Sequence, residues 1–273
     1  MDRYVSPLLG LFASFSVAAA GTVARPEWGR HFEAQGVSGT FIVFEPAKDR
    51  YLVFNESRAR ARFIPASTFK IPNALVGLEL GAIDDEKEVF RWDGKPKPRP
   101  AWERDHTLAS GMRESVVWMF QEVARRIGRE RMREWLDRLD YGNRDIKGGI
   151  DLFWLQGGLR VSAREQVELL RKLSEGELPM TQRSQRLVRE ALLVEKTAAY
   201  RLYAKTGSAG PGANAIAWWV GWIERKGRPT AHFAFNFTPS PQTRFEDRFA
   251  VARAILEEEG LLGGSRPREG GLN

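Results

Sequence analysis

The stretch YRLYAKTGSAGPGANAIAWWVGWIERKGRPTAHFAFNFTP, Tyr200 to Pro239, decides the fold class. Three aromatic, β-branched and partly alternating runs, YRLYAKTG, AIAWWVGWIE and TAHFAFNFTP, are separated by the turn-rich segments SAGPGAN and RKGRP. That is the pattern of consecutive strands. Connections this short imply antiparallel pairing, because a parallel neighbour needs a long crossover. Upstream, GTFIVFEPAKDRYLVFNE (Gly39–Glu56) holds two more β-rich runs around a Pro-Ala-Lys-Asp turn, a second hairpin.

Between these strands the period changes. Val116, Met119, Phe120, Val123, Ile127, Met132, Trp135, Leu136 and Leu139 recur at helical spacing, the core-facing stripe of one long central helix from Ser115 to Leu139. A further helix is expected over Ala163–Ser174, with Ser162 as N-cap and Glu165 at the capping-box position. An amphipathic helix is expected to close the chain over about Phe245 to Glu259, ended by Gly260. The Pro-rich, basic segment FRWDGKPKPRPAWERDH (Phe90–His106) reads as a solvated, extended loop. If the first hairpin joins the C-terminal strands, the chain is α+β: an antiparallel sheet flanked by helices, an inserted all-helical lobe, and an active site in the cleft between. The expected regions are 21–64 with 190–273, mixed sheet and helix, and 65–189, mainly helical, within one catalytic domain.

The composition narrows the chemistry. The chain has 273 residues, 42% hydrophobic and 28% charged, an ordinary globular balance. Absence of cysteine removes disulfides, thiolate metal sites and a cysteine nucleophile. Three histidines, His31, His106 and His232, leave little for a histidine metal site, and no metal is expected. The net charge of +7 carries no nucleic-acid motif, and the arginines interleave with acids, as in GRERMREWLDRLD (Gly128–Asp140), a salt-bridged solvated face.

At the N-terminus, Arg3 precedes an apolar, small-residue run from Val5 to Ala20, ending in Ala18-Ala19-Ala20-Gly21. This is the layout of a secretory signal peptide over residues 1–20, cleaved near Ala20 or Gly21. The expected mature protein is exported to the periplasm without stable membrane association.

Three short patterns carry the chemistry. FIPASTFKIPNALVGLE (Phe63–Glu79) places Ser67 and Lys70 three apart on one face of a helix start near Thr68, where Ser67 can also cap the helix. There the positive end of the dipole favours negative charge on oxygen. Ser115-Val116-Val117 opens the central helix, and Lys205-Thr206-Gly207 ends a strand at the edge of the cleft. One serine with a neighbouring lysine, a second serine, a second lysine and a flexible glycine make an acyl-transfer set. Lys205 supplies positive charge for an anionic substrate group, and Gly207 lets a substrate backbone lie close. No histidine falls in these patterns, so a Ser-His-Asp triad is not supported.

In this order, Ser-x-x-Lys, Ser-x-Val and Lys-Thr-Gly resemble the serine β-lactamase and penicillin-binding transpeptidase superfamily. PASTFKIPN (Pro65–Asn73), YGN (Tyr141–Asn143), FWLQGGLRVS (Phe153–Ser162) and Arg248 are similar to the class D, or oxacillinase-type, β-lactamases, with matches from Asn55 to Gly260. Val117 stands where transpeptidases and class A enzymes usually have asparagine. An apolar wall there should depress the Lys70 pKa, and a neutral amine can add carbon dioxide. The resemblance implies Lys70 carboxylated on N6, serving as base for acylation and deacylation, with Trp154, Val117 and Leu155 supporting the carbamate. It implies Ser67 as nucleophile, an oxyanion hole from the backbone N–H groups of Ser67 and Ser208, and Ser115 as proton carrier. Lys205, Thr206, Gly207 and Arg248 would bind the substrate. No cofactor is implied beyond the carbon dioxide or bicarbonate that carboxylates Lys70. The expected substrates are penicillin-type antibiotics, with cephalosporins, carbapenems and a homodimer left open. A β-lactam sensor or transpeptidase acylated without turnover is the alternative. Ser208 departs from the aromatic that many class D members carry, which changes the pocket wall.

Overall fold

The computed structural model describes residues 20–210, 215–240, 243 and 247–263. Nine strands form two sheets among the described residues. The main sheet contains β1 (Gly21–Ala24), β2 (Ser38–Glu45), β3 (Arg50–Phe54), β6 (Leu193–Lys196), β7 (Arg201–Ala209), β8 (Ile216–Arg225) and β9 (Arg228–Thr238), in the order β1-β3-β2-β9-β8-β7-β6. The small one pairs β4 (Arg62–Phe63) with β5 (Val161–Ser162). All neighbours in the main sheet are antiparallel except β1, which runs parallel to β3. The hairpin read from Gly39–Glu56 is β2–β3, turning through Pro46–Lys48 with Asp49 in the left-handed region, and β2 joins β9. Four short strands, β1, β4, β5 and β6, are too brief to show a period and were not expected.

Two apolar layers cover the sheet. Strand alternation sends Ile42, Phe44, Trp218, Val220 and Trp222 to one face and Phe41, Val43, Trp219, Phe233 and Phe235 to the other. The second face is covered by α1 (Gly29–Ala34) and α9 (Asp247–Glu258), which contribute Phe32, Val251, Ile255 and Leu256. The first is covered by α7 (Ala163–Glu175), which packs on β2, β8 and β9, and beyond it by the other helices. A β8 buried on both faces reads as a nearly continuous apolar run, unlike a half-exposed strand.

The remaining helices are α2 (Glu56–Arg60), α3 (Lys70–Glu79), α4 (Leu108–Arg113), α5 (Val117–Ile127), α6 (Arg129–Arg138) and α8 (Gln182–Ala191). Helix α7 starts as its sequence indicates: Ser162 Oγ accepts from Glu165 N–H while Glu165 accepts from Ser162 N–H. The single helix expected over Ser115–Leu139 is instead α5 and α6. Gly128, at φ 81°, breaks it while Met132, Trp135 and Leu136 continue the buried face. A stripe that keeps its phase across a kink looks continuous in sequence, which is why the break was missed. The leader expected over residues 1–20 lies, apart from Ala20, outside the described residues. Among the described residues no helix is long and apolar enough to cross a membrane.

Candidate active site

The chain enters the site through a tight turn. Residues Ala66–Phe69 form a 3-10 turn and α3 follows from Lys70, so the α-helix starts two residues later than Thr68. Ser67 caps neither: Pro65 is the N-cap of the 3-10 turn and Phe69 that of α3, and neither has a side-chain cap. Ala66, just before Ser67, lies at φ 48°, a left-handed conformation that costs a non-glycine residue on the order of 1–3 kcal/mol. The surroundings hold it there. Thr68 Oγ1 donates to Pro65 O at 2.7 Å and itself accepts from Gln166 Nε2 of α7 at 2.7 Å. Pro72 is the third residue of α3, where its missing N–H removes no intrahelical bond.

This turn and the first residue of α3 bring Ser67 and Lys70 together. Lys70 Nζ is hydrogen-bonded to Ser67 Oγ at 2.6 Å, and the lysine is fully buried. Its Nζ lies 5.7 Å from the centre of the Phe120 ring on α5. Burial, with smaller contributions from the charges of Lys205 and Arg99, holds the Lys70 amine well below its ordinary pKa. Behind it, Phe69 stacks on Trp154 at 5.2 Å and meets Phe153 edge-on at 4.9 Å. The Trp154 indole N–H is buried without a hydrogen-bond partner among the described residues. Leaving such a donor unmatched costs about 1–3 kcal/mol.

Trp154 and Leu155 reach the site from the loop between α6 and β5, which Asn143 closes. Asn143 Nδ2 donates to Gly158 O at 2.9 Å and Oδ1 accepts from Arg160 N–H at 2.8 Å. Gly142 sits at φ 55°, and a Cβ there would lie 2.0 Å from Arg160 O, so only glycine fits between Tyr141 and Asn143.

The second serine and lysine meet across the cleft. Ser115, at φ 56°, lies between α4 and α5, outside the helix it was expected to open, for which Val116 is the N-cap. Lys205 Nζ of β7 donates to Ser115 Oγ at 2.9 Å and to Thr206 O at 3.1 Å. Burial, then the charges of Arg248 and Arg99, lower the Lys205 pKa to about 7. Next to it, Arg248 Nη1 in the first turn of α9 donates to Ser208 Oγ at 2.9 Å.

Strand β6 pairs only with the first part of β7, at Arg201, Leu202 and Tyr203. Beyond that the β7 edge is open. Ala204 N–H points to this edge, donating to Leu192 O, so the period-two geometry turns the N–H groups of Thr206 and Ser208 the same way. Gly207 lies against the Ser67 turn: a Cβ there would be 2.9 Å from Pro65 O and 3.0 Å from Thr68 Cγ2. This chain's own turn therefore makes a close approach that requires glycine.

Ser67, Ser115, Val117, Leu155, Thr206–Ser208 and Arg248 line one cleft of about 140 Å³. Lys70 and Trp154 lie behind its wall. Lys205, Thr206 and Arg248 also border an adjoining groove of about 630 Å³. Two further residues line the cleft, Arg99 and Trp102, both from the segment expected to be a solvated loop. Trp102 is anchored: its Nε1 donates to Glu114 O at 3.0 Å and its carbonyl accepts from Trp118 Nε1 at 3.0 Å. The tryptophans in that segment were the available signal. The three histidines are engaged elsewhere, His31 with Glu258, His106 with Ser110 and His232 with Ser174. Among the described residues no group of three or more His, Asp or Glu could hold a metal ion.

The penicillin-binding protein transpeptidase domain matches residues 39–257. β-Lactamase OXA-10 of Pseudomonas aeruginosa is 41% identical over 91% of this chain and 95% of its own length. OXA-48 of Klebsiella pneumoniae is 39% identical over 94% and 99%. The structure of FUS-1 (OXA-85), a class D β-lactamase from Fusobacterium nucleatum subsp. polymorphum, superposes with a TM-score of 0.84, 36% identity and coverage of 88% of this chain and all of that one. With its two Ser–Lys pairs set on either side of one cleft, the chain belongs to the class D β-lactamase family.

Proposed function

We propose that this β-lactamase opens the lactam ring by acyl transfer to Ser67, with the Lys70 side chain taking the proton. The observation that carries this reading is the 2.6 Å contact between Ser67 Oγ and a fully buried Lys70 whose amine is held towards its neutral form. Carboxylation of that amine by carbon dioxide, giving N6-carboxylysine, would supply an anionic oxygen base for both half-reactions. The residues present fit such a group: Val117 and Leu155 keep the wall apolar, and the Trp154 N–H is a buried donor in need of an acceptor.

Ser67 Oγ attacks the lactam carbonyl carbon. The oxygen that becomes negative is received by the N–H groups of Ser67 and Ser208. The lactam C–N bond breaks as Ser115, held by Lys205, passes a proton to the leaving nitrogen. Lys205, Thr206 and Arg248 hold the substrate carboxylate. Water then attacks the acyl-enzyme, loses its proton on the Lys70 side and releases Ser67. Hydrolysis of penicillin-type antibiotics in this way confers resistance to them. The leader over residues 1–20 directs export to the periplasm, and N-terminal sequencing of the secreted protein locates its cleavage near Ala20.

The deciding experiment follows a chromogenic cephalosporin. Sustained turnover is expected. Labelling of one equivalent without turnover would support a sensor or transpeptidase and overturn the hydrolytic reading. A carbon-13 bicarbonate spectrum should show a carbamate signal that is lost in Lys70→Ala.

A further inference from the structure

We propose that Arg99 recognises a second anionic group on the acyl side chain of the substrate, so that this enzyme favours β-lactams with an acidic side chain. The proposal rests on the hydrolytic reading above.

Arg99 is exposed and lines the same cleft as Ser67. It comes from the segment between α3 and α4, whereas Thr206, Ser208 and Arg248 come from β7 and α9. The mechanism assigns the ring carboxylate to Lys205, Thr206 and Arg248 and the oxyanion to Ser67 and Ser208, and leaves Arg99 without a task. Its guanidinium lies 5.5 Å from the centre of the Trp102 ring, and Trp102 is itself held at both its indole N–H and its carbonyl. A planar cation resting on an anchored aromatic loses little freedom when it binds.

Its charge is also unspent. Among the described residues Arg99 forms no ion pair, although the neighbouring Arg104 and Arg113 both approach Glu114. Among the described residues no carboxylate lines the cleft, and the field of Arg99 reaches both lysines. Arg248 lines the same cleft and Lys205 lies within the field of Arg99, so Arg99 sits among cations and gains when an anion enters. One ring carboxylate faces several cations on the far wall. A second carboxylate on the acyl side chain would complement Arg99.

The test compares benzylpenicillin with α-carboxybenzylpenicillin, which differ by one carboxylate. The ratio of their kcat/KM values is measured in the unaltered enzyme and in Arg99→Gln, Arg99→Glu and Arg99→Lys. The ratio cancels any difference in the fraction of folded enzyme. It is expected to fall about fivefold in Arg99→Gln, the upper range for an exposed ion pair, further in Arg99→Glu, and to be largely kept in Arg99→Lys. Added salt should lower the ratio in the unaltered enzyme and leave it flat in Arg99→Gln. A ratio unchanged in both Arg99→Gln and Arg99→Glu overturns the proposal. So does an equal loss for both substrates, which would mean general steering or support of the lysines. Benzylpenicillin turnover by the unaltered enzyme reports separately on the hydrolytic reading.

Discussion

The site contains two Ser–Lys pairs with the same atoms and different settings. Ser67 and Lys70 lie three residues apart on one turn, at 2.6 Å, with Lys70 fully buried against Phe120. Ser115 and Lys205 lie 90 residues apart, at 2.9 Å, with Lys205 also donating to Thr206 O and bordering an open groove. Surroundings, not residue type, set the two lysines apart. Burial without an acceptor other than a hydroxyl drives Lys70 towards the neutral amine. Lys205 has a carbonyl partner, sits near about 7 and becomes a cation again when an anion arrives.

Removing each lysine is the strongest way to break this contrast. Lys70→Ala is expected to lower steady-state turnover by about 10³-fold, the size of a general-base contribution, with the acyl-enzyme visible by mass spectrometry. Near-normal turnover would rule the lysine out as base. Lys205→Ala is expected to raise KM about 30-fold, the loss of a charge-assisted contact to the substrate carboxylate, with a smaller effect on kcat. A dominant kcat loss would make the two lysines alike.

The pH dependence sharpens the comparison. Lys205 carries its proton below about 7 and loses it above. In the free enzyme, therefore, kcat/KM should fall as pH rises through about 7. Lys205→Arg should abolish that limb, since a guanidinium keeps its charge. A limb that persists in Lys205→Arg belongs to another group.

The smaller effects come from the partners. Trp154→Phe keeps the stacking on Phe69 and removes only the buried N–H. Activity in air should drop about tenfold, as for a lost hydrogen bond to a charged group, and be restored by added bicarbonate. A drop that bicarbonate does not touch would assign Trp154 to packing alone. Ser208→Ala releases Arg248 Nη1 from its hydroxyl partner and should change KM by about threefold, measured at constant kcat.

Much of the architecture was legible because periodicity survives in long elements. Strands β7, β8 and β9 alternate or run apolar over nine to eleven residues, and α7 carries a complete capping box. The short strands and the break at Gly128 escaped because each is decided by distant partners: β4 exists only through its pairing with β5. Arg99 and Trp102 were hidden for the same reason. Their segment has loop composition, and its docking depends on Trp102 reaching Glu114 O and Trp118 reaching Trp102 O.

The sequence alone placed Ser67 and Lys70 side by side, because a spacing of three on one turn is a local geometric fact. It also determined the strand that carries Lys-Thr-Gly, which runs on to Ala209 instead of ending at Gly207, and the antiparallel sense of its neighbours. Only the tertiary structure decided how Lys205 meets Ser115, why Gly207 must be glycine, and that Arg99 faces Ser67. Each depends on two segments distant in sequence being packed to within a few ångströms. Dielectric and charge at a point in space are set by everything packed around it, and no single stretch of chain encodes them.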